Sequence, residues 1–108
     1  MPLYMSQFSY TPEAMANMIH NPGDRSAQVA KHLEQVGGKL ISFYYTFGEY
    51  DGICIYEAQD GVDAYSTLAA NWATGFLTKV KTTRIFSAEE GTIAFKKAGN
   101  IEITPPKG

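Results

Sequence analysis

The chain has a single cysteine, Cys54, so an intrachain disulfide is excluded. No apolar run approaches the ~20 residues needed to span a bilayer. Charge is sparse and balanced: 9 Lys and Arg stand against 11 Asp and Glu, a net charge of -2. Affinity for nucleic acid rests on clustered Lys and Arg that displace counterions. No such cluster occurs, and no nucleic-acid partner is expected. The opening Met1-Pro2-Leu3 carries neither the charged region nor the apolar core of a secretory leader. These absences lead us to expect a soluble protein of the reducing cytoplasm, with no membrane partner. A glycine-rich phosphate loop and a paired-carboxylate motif are missing too. His20, Asp24 and His32 come nearest to a metal set but reproduce no ligand spacing. No metal and no cofactor are expected.

What is abundant is apolar and aromatic. Hydrophobic residues make up 44% of the 108, with 7 Tyr and 6 Phe, enough for one globular domain with one core. Strand and helix signals alternate along it. "LYMSQFSY" (3 to 10) reads as a strand closed by Thr11-Pro12-Glu13, where Thr caps a short helix and Pro takes its first position. Asn21-Pro22-Gly23 interrupts. Asp24 then caps a helix over 25 to 36, with Val29, Leu33 and Val36 at helical spacing and Gly37-Gly38 as its stop.

The next strand, 39 to 47, places Ile41, Phe43, Tyr45 and Phe47 on one face, with Leu40, Ser42, Tyr44 and Thr46 on the other. A turn leads to a second strand, "ICIYEA" (53 to 58), apolar on both sides. Asp60 and Asp63 open a helix whose stripe, Val62, Tyr65, Leu68, Ala69 and Trp72, is expected to face the core. Residues 76 to 86 read as an edge strand marked by Lys79 and Lys81. Ser87 and Glu90 form a capping-box signature for a last helix to about Ala98, although Gly91 weakens it. The expected domain is 1 to 98, with a loose tail over 99 to 108 in which Ile101 and Ile103 can add a short strand to a neighbour.

The order β, α, β, β, α, β, α predicts an α+β fold: a ferredoxin-like βαββαβ unit with a C-terminal helix, both crossover helices lying on one side of a four-stranded antiparallel sheet. That leaves an open sheet face of the order of 350 Å². Apolar residues on both sides of the middle strands predict that a second copy covers it, in a homodimer.

The stretch "GGKLISFYYTFGEYDGICIYEAQD" resembles the GYD domain family, through Gly48, Tyr50 and Asp51 of the turn, "GGKL" before the strand and "KTTRIFSAEE" after the second long helix. The resemblance runs from about Phe8 to Glu90. It implies a ferredoxin-like domain that pairs into a dimeric α/β barrel, and it implies no reaction. The turn is also similar, over fewer than ten residues, to a hairpin in the amino-acid-binding domains of Lrp/AsnC regulators; no helix-turn-helix partner accompanies it here.

Each turn residue has a structural explanation. Gly48 and Gly52 permit positive φ, Asp51 accepts backbone N–H bonds, and Tyr50 covers a strand edge. Alternatively, Asp51 and Tyr50 rim a pocket. His32, at the margin of its helix's apolar stripe, is a candidate acid or base. Asn71 and Trp72 invite comparison with cofactor-independent monooxygenases of the dimeric-barrel type, against which core packing of Trp72 is the simpler reading. Cys54 reads as an inert buried thiol. Three functions stay open. One is a homodimeric binder of a small organic ligand between helices and sheet, lined by Tyr44, Tyr45, Tyr56, Tyr65 and Trp72 with His32 and Asp51 as polar anchors. The second is a monooxygenase- or isomerase-like enzyme on that pocket. The third is a structural or interaction module.

Overall fold

The computed structural model describes residues 1–107; Gly108, the end of the expected tail, lies outside them. Four strands and four helices follow in the order β1 (Leu3–Tyr10), α1 (Pro12–His20), α2 (Arg25–Glu34), β2 (Lys39–Tyr45), β3 (Gly52–Glu57), α3 (Gly61–Ala73), β4 (Leu77–Ile85) and α4 (Ala88–Ala98). The sheet order is β2-β3-β1-β4 with every pair antiparallel. This is the ferredoxin-like α+β arrangement, and β1, first in sequence, lies in its interior.

Local chemistry explains the boundaries. Thr11, Asp24, Asp60 and Ser87 each accept a backbone N–H in the first turn of the helix they precede. At the end of α2, Gly37 takes φ +72° and the Gly38 N–H reaches back 2.9 Å to the Leu33 carbonyl, closing the left-handed stop. Past Ala98 the described tail forms no strand.

Alternation along β1 turns Ser6, Phe8 and Tyr10 toward the helices. There they join Leu33 of α2, Ala64 of α3 and Cys54 and Tyr56 of β3 in the core. Leu33 is its most buried large side chain, 2% exposed. Gly52 pairs with Phe8, and a Cβ there would stand 2.5 Å from the Phe8 ring. Its φ is not positive, so the glycine is needed for this close approach and not for its backbone freedom.

Three expectations change. The ladder of β2 slips between Leu40 and Ser42, which puts Leu40 on the helix side with Phe43 and Tyr45 and leaves Ile41 as the extra, exposed residue of a bulge. The open face therefore carries Lys39, Ser42 and Tyr44 from β2, and its apolar part is a diagonal through Leu3, Met5, Ile53, Ile55 and Ile85. The connection from β2 to β3 is a loop over 46–51 instead of a tight turn. Finally, α3 meets the core through Ala64 and Leu68, while Tyr65 is 71% and Trp72 44% exposed; Trp72 is not a core residue.

Replacing Leu33 with Ala removes the contact on which α2 rests. The expected loss is about 2–5 kcal/mol in urea unfolding; a loss below about 1 kcal/mol would place the core elsewhere.

Candidate functional site

Between α2, α3 and the sheet lies a cavity of ≈ 70 Å³. Cavities that hold benzene are about twice that size, so it takes a group of a few heavy atoms. Its floor comes from the sheet and its walls from the helices: Arg25, Val29, His32 and Leu33 of α2 on one side, Thr67, Leu68 and Asn71 of α3 on the other. The short Ala64, where α3 reaches the core, draws that helix close at its first turn. Farther along, the longer Leu68 and Asn71 face α2 across the gap.

Hydroxyl groups cross the floor. Ser6 Oγ lies 3.1 Å from the Tyr56 hydroxyl and 2.9 Å from Thr82 Oγ1, linking β3, β1 and β4. Burial raises the pKa of Tyr56, with the Ser6 bond partly offsetting it, so the phenol stays protonated and available as a donor. Burial likewise raises Tyr10, offset by the adjacent Arg25. Cys54 is pushed up to about 11, again by burial. Burial and then the Arg25 charge lower the pKa of His32 below its usual 6.5, leaving a neutral imidazole at pH 7. The Asn71 amide donates to the Thr67 carbonyl at 2.9 Å, which leaves its oxygen as an acceptor beside the gap.

A second, wider depression of ≈ 320 Å³ adjoins α1 and is lined by Met15, Met18, Ile19 and Tyr45. Arg25 borders both spaces. Sequence reasoning missed it. The signal was its position in the first turn of α2, which holds no acidic residue; a cation there opposes the helix dipole, so its presence calls for another partner. Within the chain it has Gln28 Oε1 at 2.9 Å and the Tyr10 hydroxyl.

Of the eight residues singled out in the sequence, His32 and Tyr56 line the cavity and Tyr45 lines the wider depression. Tyr44 lies on the open sheet face, and Tyr65 and Trp72 on the outer side of α3. Asp51 is a fastener: its Oδ2 accepts the Tyr10 N–H at 2.9 Å, while its own N–H donates to the Phe8 carbonyl at 2.9 Å. Tyr50 carries the Lys79 ammonium 4.6 Å from its ring centre, and Lys79 also lies 3.7 Å from Glu49. The turn thus ties the β2–β3 loop to β1 and β4. Gly48, at φ +152°, supplies its one left-handed residue.

Truncating Asp51 to Ala leaves the Tyr10 N–H without its carboxylate and should cost about 1–3 kcal/mol in denaturant unfolding, with Asp51→Asn recovering most of it. Equal losses in both would remove the hydrogen bond as the cause. Cys54 should resist maleimide at pH 8 in the folded protein and react on unfolding; rapid labelling of the native state would contradict its burial. Because its folded pKa is the raised one, its contribution to stability is complete below the unfolded value of 9.0 and declines as pH climbs toward 11.

Comparison with known proteins gives the fold and the family. MtbAldR superposes with a TM-score of 0.58 at 14% identity, over 80% of this chain and 52% of that one, so the chain spans about half its length. Protein Atu4242 from Agrobacterium tumefaciens superposes with a TM-score of 0.51 at 10% identity, over 82% of this chain and 94% of that one. At these identities the likeness is one of fold alone. No curated protein matches the sequence. The GYD domain matches residues 4–94, the whole sheet and all four helices up to the middle of α4, and the chain belongs to the GYD domain family.

Proposed function

We propose that the chain is a homodimeric binder of small organic molecules, and that it takes a short carboxylate or a comparable small anion where the cavity meets the depression beside α1. One observation carries the reading: Arg25 stands at the junction of the two spaces, in the first turn of α2, just past the Asp24 cap. The guanidinium favours an anion at that point, while the N-terminus of α2 is already capped by the Asp24 carboxylate. The apolar body of such a ligand would rest against Val29, Leu77 and Val80, with the Tyr56 hydroxyl and Asn71 offering placed polar contacts. Pairing of the open sheet faces is part of the proposal, supported by the diagonal of Leu3, Met5, Ile53, Ile55 and Ile85. An unpaired, buried thiol fits a cytoplasmic location, and no helix among the described residues is long and apolar enough to cross a membrane.

The alternative of a cofactor-independent enzyme draws on His32, a neutral imidazole on the cavity wall. It adds a proton transfer to the same binding event and needs His32 within hydrogen-bond reach of the bound molecule. Retained binding with loss of turnover in His32→Ala would favour it over binding alone.

Titration with acetate and propionate, followed by amide chemical shifts, is expected to give saturable changes around Tyr10, Arg25 and His32. Arg25→Gln should weaken binding roughly 10- to 100-fold, the value of a charge-assisted hydrogen bond. Equal binding in the variant, or no saturation, would overturn the assignment. Because the His32 pKa is lowered, protonation adds a second cation only below 6.5. Affinity should therefore rise as pH falls from 7 toward 5, and that rise should vanish in His32→Ala.

A further inference from the structure

Two helix faces in this chain are apolar and uncovered. On α3, Val62, Tyr65, Ala69 and Trp72 recur at helical spacing and form one stripe. Val62 is 74% exposed. The sheet is met by the other side of the helix, so this is a second apolar face. On α4, Ala88, Gly91, Phe95 and Ala98 form a similar stripe; no residue of the helix is buried, and Phe95 is 78% exposed. Small residues around one aromatic ring suit close approach of another helix.

The junction before α4 holds the helix away from its own body. Only Phe86 and Ser87 separate it from β4. Ser87 and Glu90 close a full capping box, and Arg84 fixes the joint: it donates to the Leu3 and Ile85 carbonyls, lies 3.7 Å from Glu90 and stacks 4.3 Å from the centre of the Phe86 ring. The chain accordingly has a radius of gyration of 17.4 Å and a long axis of 57 Å, where a compact chain of this length has a radius of about 13 Å. An 11-residue helix without tertiary cover is marginal in water. Its cover has to come from another molecule.

We infer that α4 is an arm exchanged between two copies of the chain, its Phe95 face lying antiparallel on the Val62–Trp72 stripe of the second copy. Charge selects the direction. Antiparallel packing brings Lys96 and Lys97 beside Asp60 and Asp63, and carries Glu89 and Glu90 to the end of α3, whose last turn is uncharged. Parallel packing would set Glu89 and Glu90 against Asp60 and Asp63. The lengths also agree, at 13 and 11 residues. Repeated about a two-fold axis the contact occurs twice. Six aromatic rings, each able to bury ~150–250 Å², bring the pair to the order of 1,000 Å², close to the ~1,200 Å² where stable interfaces begin. This goes beyond the ligand reading and does not depend on it.

Cross-linking tests the exchange in the full chain, with Cys54 silent because it is buried. Chains bearing Val62→Cys are mixed and equilibrated with chains bearing Ala98→Cys, then treated with a short bismaleimide. The expected product links one chain of each kind, with neither variant linking alone, and a chain carrying both substitutions gives covalent dimers. An internally looped monomer would show the arm folding onto its own α3 and overturn the proposal. Dimers without a cross-link would overturn it while leaving pairing of the sheets intact. Phe95→Glu should weaken self-association at least ~10-fold, with any loss of helix content by circular dichroism confined to the share that α4 contributes; undiminished association would also contradict the arm.

Discussion

Helices cover one side of a four-stranded sheet, and the rest of the molecule follows from that constraint. β1 is hydrogen-bonded on both edges, so its side chains have two directions and no others. Ser6, Phe8 and Tyr10 go under α2 and α3; Leu3 and Met5 go to the uncovered side. The core is correspondingly thin, resting on Leu33, Phe8, Tyr56 and a few small residues. A chain of this length has no further element to place behind the sheet, since α1 packs against the same core through Ala14 and α4 stands clear of it.

The cavity is the other result of the same economy. α3 is drawn in by Ala64 and held off by longer residues farther along, so the space between the helices is not filled. Its surroundings combine apolar walls with hydroxyls whose pKa values burial pushes upward. Such groups remain neutral donors throughout the physiological range. The charge at the site comes from Arg25 alone at pH 7, because burial and Arg25 itself keep His32 neutral.

Much of the architecture was legible because local chemistry and pattern agree. All four helix caps and the Gly37 stop followed from residue types whose conformations are restricted, and the four-stranded antiparallel sheet from the order of the elements along the chain. The bulge at Ile41 was not, since no glycine or proline marks it; strict alternation put Leu40 on the wrong face and made the open side look greasier than it is. The helix α3 misled for a different reason. Its sequence supports two apolar stripes, one of small residues with Leu68 and one with Val62, Tyr65 and Trp72, and hydropathy favours the bulkier set for the core. Packing against a thin core favours the smaller. Of the site, His32 and Tyr56 could be read from spacing, whereas Arg25 could not, because its position matters only once α2 and β1 meet. The GYD turn was legible as a motif, and its geometry makes it a brace between the β2–β3 loop and the sheet's interior strand.

The central claim is that one copy of this chain leaves apolar surface that only another copy can cover. Sedimentation equilibrium of the wild-type protein across the micromolar range tests it directly. The account predicts a species of twice 11.9 kDa; a single species of 11.9 kDa throughout that range would contradict it.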